Sequence, residues 1–178
     1  MKKVSQKTLF LLSFSALLFS CATASLPKGA PIVEGFDKAR YLGKWYEIAR
    51  FDFAFEKNLS NTTAEYGLRD DGKVSVTNRG YNYVKGKWQE AKAKARFVGA
   101  DTRAALEVSF FGPFYAGYNV IALDKDYNYA LVAGDSLKYL WILSRVKTIP
   151  EDVKKDYLAL AASLGYDVAS LIWVEHDK

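Results

Sequence analysis

Eight short segments with the composition of β-strands follow one another through most of the chain, and turns separate them. Within these segments apolar residues alternate with polar ones, or β-branched and aromatic residues predominate, as is typical of strands. Asp70-Asp71-Gly72, between the second and third segments, is a strong hairpin signal. Regular strands joined by tight turns predict an all-β sandwich or barrel. The predicted strands cover residues 45–53, 62–68, 73–78, 87–98, 104–111, 118–123, 129–133 and 139–145.

One segment near the end of the chain has a helical pattern instead. Thr148-Ile149-Pro150-Glu151 predicts a helix start, with Thr148 as the cap, and Gly165 predicts its end. Because the helix has a single apolar stripe, we expect it to pack on the outside of the sheet, before a short final strand at 171–174. The stripe consists of Val153, Tyr157, Leu160 and Leu164.

The fourth predicted strand constrains the interior most closely. In the segment 91–97, one face carries three alanines and a phenylalanine, and the other carries two lysines and an arginine. The charged face must contact water, so the face with small side chains is turned inward and leaves space. Large residues from opposite strands could fill that space, but a barrel of eight strands is also wide enough to hold one small ligand. We therefore expect a cavity, lined in part by Ala93.

Three motifs, in order along the chain, resemble those of the lipocalin family. Gly43-Lys44-Trp45 is similar to the opening Gly-x-Trp, residues 118–127 are similar to the second motif, and Arg145 ends a segment similar to the third. Segments at 36–43, 68–72 and 110–115 resemble in particular the Gram-negative outer-membrane lipoprotein lipocalins, which are relatives of apolipoprotein D. The resemblance spans residues 36–175. It implies an all-β, eight-stranded antiparallel up-and-down β-barrel, with one C-terminal α-helix packed outside and a short final strand.

The strand order of such a barrel places the three motifs at one end. Odd strands begin there and even strands finish there, and the eighth strand pairs with the first, so Arg145 can approach Trp45. A guanidinium over an indole ring contributes about 0.5–2 kcal/mol. We expect Gly43, Trp45 and Arg145 to form a structural plug that seals this end, so they need not contact a ligand.

The opposite end must be the mouth, and its predicted loops are rich in aromatic residues. These loops are residues 52–61, 80–86, 112–117 and 134–138. Apolar rings at an open rim indicate access for a hydrophobic ligand or contact with a membrane, although such rings also pack on one another. Phe114 and Tyr115 lie in this rim, and Tyr115 is our first choice to contact a polar head group.

Alternation along the strands predicts which side chains line the lumen. Tyr139 and Trp141 share the face of Arg145, Tyr66 faces inward from the second strand, and Phe110 faces inward from the fifth. The result is a mostly apolar tube with tyrosine hydroxyls. Such a tube would suit an acyl chain, because each buried CH2 group contributes roughly 0.8 kcal/mol.

One carboxylate is also predicted to face the lumen. Glu47 shares the face of Trp45, and a buried carboxylate must find a partner or hold a proton. Glu47 could bind a ligand head group or water. The interpretation that we favour is a hydrogen bond to a neighbouring Tyr or Arg.

The first twenty residues predict a secretory signal, because three lysines precede an apolar run at 9–19 that is too short to span a membrane. The sequence ending at Cys21 resembles the bacterial lipoprotein cleavage box, which implies that Cys21 is lipidated; the alternative is an ordinary signal cleaved at 22–25. We therefore divide the chain into a signal peptide (1–20), a lipidated tether (21–35) and a barrel domain (36–178). Ala22 stands where an Asp would retain a lipoprotein at the inner membrane. By resemblance this implies a lipid-anchored protein on the periplasmic face of the outer membrane.

Composition and spacing exclude several kinds of site. With one cysteine and one histidine, the chain cannot form an internal disulfide or a site that needs paired histidines. Removal of residues 1–20 takes away three lysines and no acid, so the net charge falls from +5 to +2, without a basic run that would bind nucleic acid. Asp124-x-Asp126-x-Asn128 is similar to the start of a calcium loop, but Tyr129 stands where that loop needs glycine. We expect no metal site.

These features predict a binding protein and not an enzyme, with no catalytic residues and no cofactor. The expected ligand is a fatty acid, a lysophospholipid or a similar amphiphile, bound for envelope maintenance or transfer under stress. A homodimer remains open. The alternatives are a carrier of another small hydrophobe, such as haem, a retinoid or a quinone, and a structural envelope protein whose barrel is filled.

Overall fold

The computed structural model describes residues 26–178, so the predicted signal peptide and Cys21 lie outside the described residues. Within residues 26–178, nine antiparallel strands form one sheet in the order β2-β3-β4-β5-β6-β7-β8-β1-β9, and β1 also pairs with β2. That additional pairing closes the first eight strands into a barrel, which confirms the predicted fold. The strands are β1 (Gly43–Arg50), β2 (Leu59–Leu68), β3 (Val74–Asn82), β4 (Lys87–Phe97), β5 (Ala105–Phe111), β6 (Phe114–Leu123), β7 (Tyr129–Ala133), β8 (Leu140–Ser144) and β9 (Ile172–Trp173).

The predicted C-terminal helix is α2 (Glu151–Ser163), but its predicted cap was wrong. Pro150 occupies the N-cap position, and no side chain caps the helix there. Tyr157 and Ala161 of α2 are buried against the outer face of the barrel. A single 3-10 turn (Val168–Ser170) then leads into β9, which pairs with the end of β1 outside the barrel.

A second, shorter helix was not predicted. Helix α1 (Lys38–Tyr41) precedes β1, and the Asp37 side chain caps it by accepting a 2.9 Å hydrogen bond from the Ala39 amide. Neither helix of the described chain combines the length and the apolar character that crossing a membrane requires.

Apolar residues pack on both sides of the barrel wall. Strand β7 is covered on both faces. Ala130 and Val132 join the apolar cluster inside the barrel, whereas Leu131 and Ala133 join the cluster beneath α2. A strand covered on both faces has no polar face to present.

Strand β1 contains an irregularity that changes the direction of its last side chain. The pairing of β1 with β8 shifts register between Glu47 and Ala49, as expected of a β-bulge. Ala49 therefore packs beneath α2, and Arg50 is turned to the same side as Glu47. Strict alternation along β1 would have placed Arg50 on the outer face.

The segment predicted as a tether is, in its described part, attached to the barrel. Leu26 packs on the outer apolar cluster and Ile32 on the inner one. The Val33 amide donates a 3.0 Å hydrogen bond to the Val120 carbonyl, and the Val33 carbonyl accepts a 2.9 Å bond from the Ala104 amide. Because these apolar side chains and backbone groups find partners on the barrel, residues 26–35 form a docked strap.

Candidate functional site: the barrel lumen and its mouth

The closed end of the barrel is built on a stacked pair. The Arg145 guanidinium carbon lies 3.9 Å from the centre of the Trp45 ring, and Trp45 is fully buried. Arg145 Nη1 donates to the Lys44 carbonyl at 2.8 Å, and Nη2 donates to the Arg40 carbonyl at 2.7 Å. The guanidinium therefore joins β1 to α1 while it covers the indole.

Gly43 lies beside this pair, where the backbone needs a conformation that favours glycine. Its φ of +89° is in the region that favours glycine, and a Cβ at this position would lie 3.6 Å from Arg145 Nη1. The glycine thus turns the chain from α1 into β1 next to the stacked guanidinium. The described contacts of Gly43, Trp45 and Arg145 are all of this structural kind.

We call this closed end, formed by Gly43, Trp45 and Arg145, the floor of the barrel. Above it, three tyrosine hydroxyls form a hydrogen-bonded chain. The Tyr118 hydroxyl lies 2.7 Å from that of Tyr41 and 2.8 Å from that of Tyr66. Burial raises the pKa of all three hydroxyl groups, so they remain protonated at neutral pH. A cavity of about 20 Å³ remains beside them, lined among others by Ala95 and Val108. This volume suits about one water molecule and no acyl chain, so the lower lumen is essentially packed.

The upper lumen is open, as the inward row of β4 shows. Ala95 pairs with Val74 and Val108 and is only 2% exposed, Ala93 is half-buried, and Ala91 is exposed. All three lie on the face of β4 that contacts the interior cluster. Exposure therefore rises in steps from the floor to the mouth along one row of small side chains.

Trp141 and Tyr139 line the open half opposite this row. Their rings stack with an interplanar angle of 14° and centroids 6.2 Å apart, and Phe53 meets both edge-on. Trp141 is half-buried, and 38% of the Tyr139 surface is exposed. The upper lumen thus offers flat aromatic surface that contacts solvent in the free protein.

The mouth carries exposed apolar side chains on each of its loops. Phe114 is 78% exposed and Phe111 is 68% exposed, and their strand positions lie opposite each other. The Phe111 ring meets that of Phe55, from the loop after β1, at 6.3 Å. Phe110 lies within a register shift between Val108 and Phe111 and is 39% exposed. The further members are Tyr83, Val84 and Leu137.

Tyr115, the residue predicted to contact a head group, is on the wrong side of the wall. The Arg96 guanidinium carbon lies 4.2 Å from the centre of the Tyr115 ring, and Arg96 pairs with Glu107 on the outer face. The reason is that β6 begins at Phe114, four residues earlier than predicted. Counting back from the inward Tyr118 by twos reaches Ala116 and Phe114, so Tyr115 must point outward.

A buried ionic cluster lies in the wall of the upper lumen. Arg50 Nε lies 3.0 Å from Oε1 of Glu47 and 3.5 Å from Oε2 of Glu56, without the alignment of a hydrogen bond to either. Thr62 donates a 2.9 Å hydrogen bond to Glu47, and the Trp141 indole donates to Glu56 at 3.4 Å. Arg50 and Glu47 are both buried.

The cluster holds two carboxylates and one guanidinium. Burial raises the pKa of Glu47, and the nearby charge of Glu56 raises it further; burial likewise raises the pKa of Glu56. Nη1 of Arg50 donates to the Phe51 carbonyl, and Nη2 donates to the carbonyls of Glu56 and Leu59. Arg50 therefore fixes the loop after β1, and its Nε remains directed at the two carboxylates.

Sequence analysis anticipated that Glu47 faces the lumen beside a Tyr or an Arg, and Arg50 is that neighbour, although as an ion pair. It did not identify Thr62 or Glu56. The β-bulge that turns Arg50 inward has no signature in the alternation of β1, and Glu56 reaches the lumen from a loop. The one available signal was that strict alternation leaves Glu47 without an obvious partner on the inner face of β1.

The motif that resembles a calcium loop has a structural use. The Asp124 carboxylate accepts hydrogen bonds from the amides of Asn128 and Tyr129, both at 2.6 Å, and so ties the β6–β7 turn. Across residues 26–178, no three Asp, Glu, His or Cys side chains are grouped so that they could hold a metal ion.

Comparison with known proteins agrees with this architecture. The family described as "Lipocalin-like domain" matches residues 36–176. The chain is 56% identical to the protein named outer membrane lipoprotein Blc of Escherichia coli (strain K12) over 159 residues, which cover 89% of this chain and 90% of that one. It is 33% identical to apolipoprotein D of Macaca fascicularis over 183 residues, covering 96% and 95% of the two chains. Among solved structures, insecticyanin from the tobacco hornworm has a similar fold, with a TM-score of 0.68, 22% identity, and coverage of 85% and 86%.

Proposed function

The chain belongs to the lipocalin family, and on that premise we propose that it binds an amphiphile, a fatty acid or a lysophospholipid, while anchored to the outer membrane. The acyl chain occupies the upper lumen, and the ligand is held or transferred for maintenance of the envelope under stress. The protein acts by binding and catalyses no reaction.

The observation that carries this proposal is the rise in exposure along the inward row of β4. Ala91 and Ala93 leave a gap in the lumen wall, and the stacked rings of Tyr139 and Trp141 face the same open space. Burial of about six methylenes at roughly 0.8 kcal/mol each would supply close to 5 kcal/mol toward binding. A packed lower lumen sets the depth that the chain reaches, because only a water-sized cavity remains beside Tyr66.

The charges of the lumen bear on where the head group lies. A ligand carboxylate or phosphate inside the upper lumen would meet the carboxyl groups of Glu47 and Glu56, which lie on either side of Arg50 Nε. We therefore place the head group at the rim. Lys57, Lys85 and Lys138 are exposed on three of the rim loops and supply positive charge there.

The proposed anchor is the lipidated Cys21. Because the strap at 26–35 is docked on the barrel, only the short segment before it separates the anchor from the barrel. Five backbone steps separate Cys21 from Leu26, which packs on the barrel. Fully extended, they span at most about 18 Å, so the barrel would stay close to the membrane. Two or more acyl chains on one residue give stable attachment, whereas a single chain is marginal. The name of the Escherichia coli relative, an outer membrane lipoprotein, agrees with this location.

Native mass spectrometry of the protein, purified in mild detergent from its own envelope, tests the ligand class. We expect a bound mass equal to that of a fatty acid or a lysophospholipid, and the same spectrum reports whether the chain is a homodimer. A protein that is isolated empty and does not take up added lipid would instead have a structural role.

A pair of tryptophan substitutions on β4 tests the location. Ala91→Trp fills the upper lumen, so the dissociation constant for a fluorescent fatty acid should rise more than ten-fold, which corresponds to the loss of about two buried methylenes. Lys92→Trp adds the same ring to the neighbouring exposed position on the outer face and should leave the affinity unchanged. Equal affinities in the two variants would place the ligand elsewhere.

A further inference from the structure

A second concave site lies outside the barrel. It is a pocket of about 270 Å³ between the outer faces of β1–β4 and the C-terminal segment after β9. Three basic side chains line it, those of Lys44, Arg79 and Lys147. The other lining residues used below are Thr63, Trp88 and His176. We call it the outer pocket. No lumen residue lines it, so it is separate from the proposed acyl site.

The C-terminal segment that forms one wall is held in place by buried polar contacts. Asn61, almost fully buried, donates a 2.8 Å hydrogen bond to Asp177 and accepts one of 2.8 Å from the Lys178 amide. His176 Nε2 donates to the Glu47 carbonyl at 2.8 Å. These bonds fix the segment against β1 and β2, so the pocket is a formed concavity and not a chance gap beside a loose tail.

The cations around the pocket contact aromatic rings and main-chain oxygens. Lys44 Nζ lies 4.7 Å from the centre of the Tyr46 ring, and the Arg79 guanidinium carbon lies 4.4 Å from that of Trp88. Lys147 Nζ donates to the main-chain oxygens of His176 and Lys178, at 3.4 and 3.2 Å. Lys44, Arg79 and Lys147 pair with no acidic side chain within the described chain, whereas Lys178 has Asp177 at 3.8 Å.

Such an arrangement gathers positive charge around a concave surface, while Glu65 and Glu90, the cross-strand partners of Lys44 and Arg79, lie beyond ion-pair distance of them. Three like charges around one pocket repel one another, and an anion placed among them relieves that repulsion. Burial is the main cause that lowers the pKa of His176; the charges of Lys147 and Lys44 lower it further, whereas the bond to the Glu47 carbonyl and the charge of Asp177 act in the opposite direction.

We propose that the outer pocket binds a phosphate group, carried either by a phospholipid head group or by a small phosphate ester. The planar guanidinium of Arg79 suits two phosphate oxygens, and Lys44 and Lys147 supply point charges. The Thr63 hydroxyl adds a neutral donor. The rings of Trp88 and Tyr46 offer apolar surface for a glycerol or sugar carbon attached to the phosphate. A phosphate fits three cations better than a carboxylate does, because it carries more charge and more acceptor oxygens.

The test uses the full chain in a non-ionic detergent, with the indole N–H signals of its tryptophans observed by NMR. Inorganic phosphate, added at constant ionic strength, should shift the Trp88 signal to saturation and leave the signal of buried Trp45 unchanged. The double substitution Lys44→Gln/Arg79→Gln should weaken this binding at least ten-fold. Lys125→Gln/Lys155→Gln removes the same charge from exposed sites elsewhere and should leave it unchanged.

A shift that rises linearly without saturation, or that is equal in both double variants, would overturn the proposal, because general charge screening explains it. The unshifted Trp45 signal reports that each variant is folded. The source of the phosphate follows from titrations with glycerol 3-phosphate and with a soluble short-chain phosphatidylglycerol. Tighter binding of the lipid at the Trp88 signal identifies a head-group site, and tighter binding of the ester identifies a site for a free phosphate compound.

Discussion

Arg50 Nε lies 3.0 Å from Oε1 of Glu47, although the two residues stand three positions apart in one strand. Regular alternation would send them to opposite faces, and the β-bulge between Glu47 and Ala49 brings both to the same side. With Glu56 at 3.5 Å on the other side of the same nitrogen, two carboxylates compete for one guanidinium in a buried position. The barrel thus retains a carboxyl group that is easier to protonate than it would be in water.

The raised pKa of Glu47 predicts a dependence of stability on pH. A carboxyl whose folded-state pKa exceeds its unfolded value, here 4.5, stabilises the fold most below that value, and this contribution is lost as pH rises through the folded pKa. Glu47→Gln removes that loss and leaves Arg50 with the single carboxylate of Glu56. The free energy of unfolding of the variant, relative to the parent chain, should therefore increase as pH is raised from 4.5.

Urea denaturation at a series of pH values measures this difference. Glu65→Gln, at an exposed position of β2, is the matched control for the loss of one carboxylate. A difference between Glu47→Gln and the parent chain that stays constant, or decreases, as pH rises would contradict the prediction.

The floor makes a second prediction about stability. Trp45→Ala removes a fully buried indole and leaves a cavity beneath Tyr41, so the free energy of unfolding should fall by about 3–5 kcal/mol. Trp173→Ala removes the same ring from the exposed strand β9 and should cost about 1 kcal/mol or less. Chemical denaturation of the two variants checks the contrast, and equal losses would show that the floor does not depend on the indole.

The sequence predicted the strands of the barrel wall better than it predicted the side chains of the candidate site. Alternation in β4, the turn signals and the three motifs were sufficient for the closed barrel and for the approach of Arg145 to Trp45. Side chains beyond a register shift were not predictable in this way, because one extra residue reverses every later direction. Arg50 is the clearest example. Tyr115 is a different case: its outward direction could have been found by extending the alternation of β6 back from Tyr118.

Loop-borne groups escaped prediction for another reason. Glu56 reaches the Arg50 guanidinium from the loop after β1, and no periodicity constrains a loop side chain. Helix α1, only four residues long, is likewise too short to leave a periodic pattern.

The hydrogen bonds that Arg145 donates to Lys44 and Arg40 lead to a third prediction. Arg145→Lys keeps the positive charge, but an ammonium group on a shorter reach cannot bridge the carbonyls of Lys44 and Arg40 together. The free energy of unfolding should fall by about 1–2 kcal/mol. Arg96→Lys, at an exposed ion pair with Glu107, should cost about 0.5 kcal/mol or less. A loss at Arg145 no larger than that at Arg96 would mean that charge alone holds the floor.

The anchor makes the last prediction, which concerns where the protein is found. Cys21→Ala removes the proposed acylation site and leaves residues 26–178 unchanged, so in a Gram-negative host the protein should move from the membrane to the soluble periplasmic fraction. Ser25→Ala, four residues further along, should leave the protein at the membrane. Ala22→Asp introduces the residue that retains lipoproteins at the inner membrane and should shift the protein there in a density-gradient separation of the two membranes. Cys21→Ala protein that remains in the outer-membrane fraction would show that the chain is held there by its exposed apolar mouth or by another contact, and not by acylation.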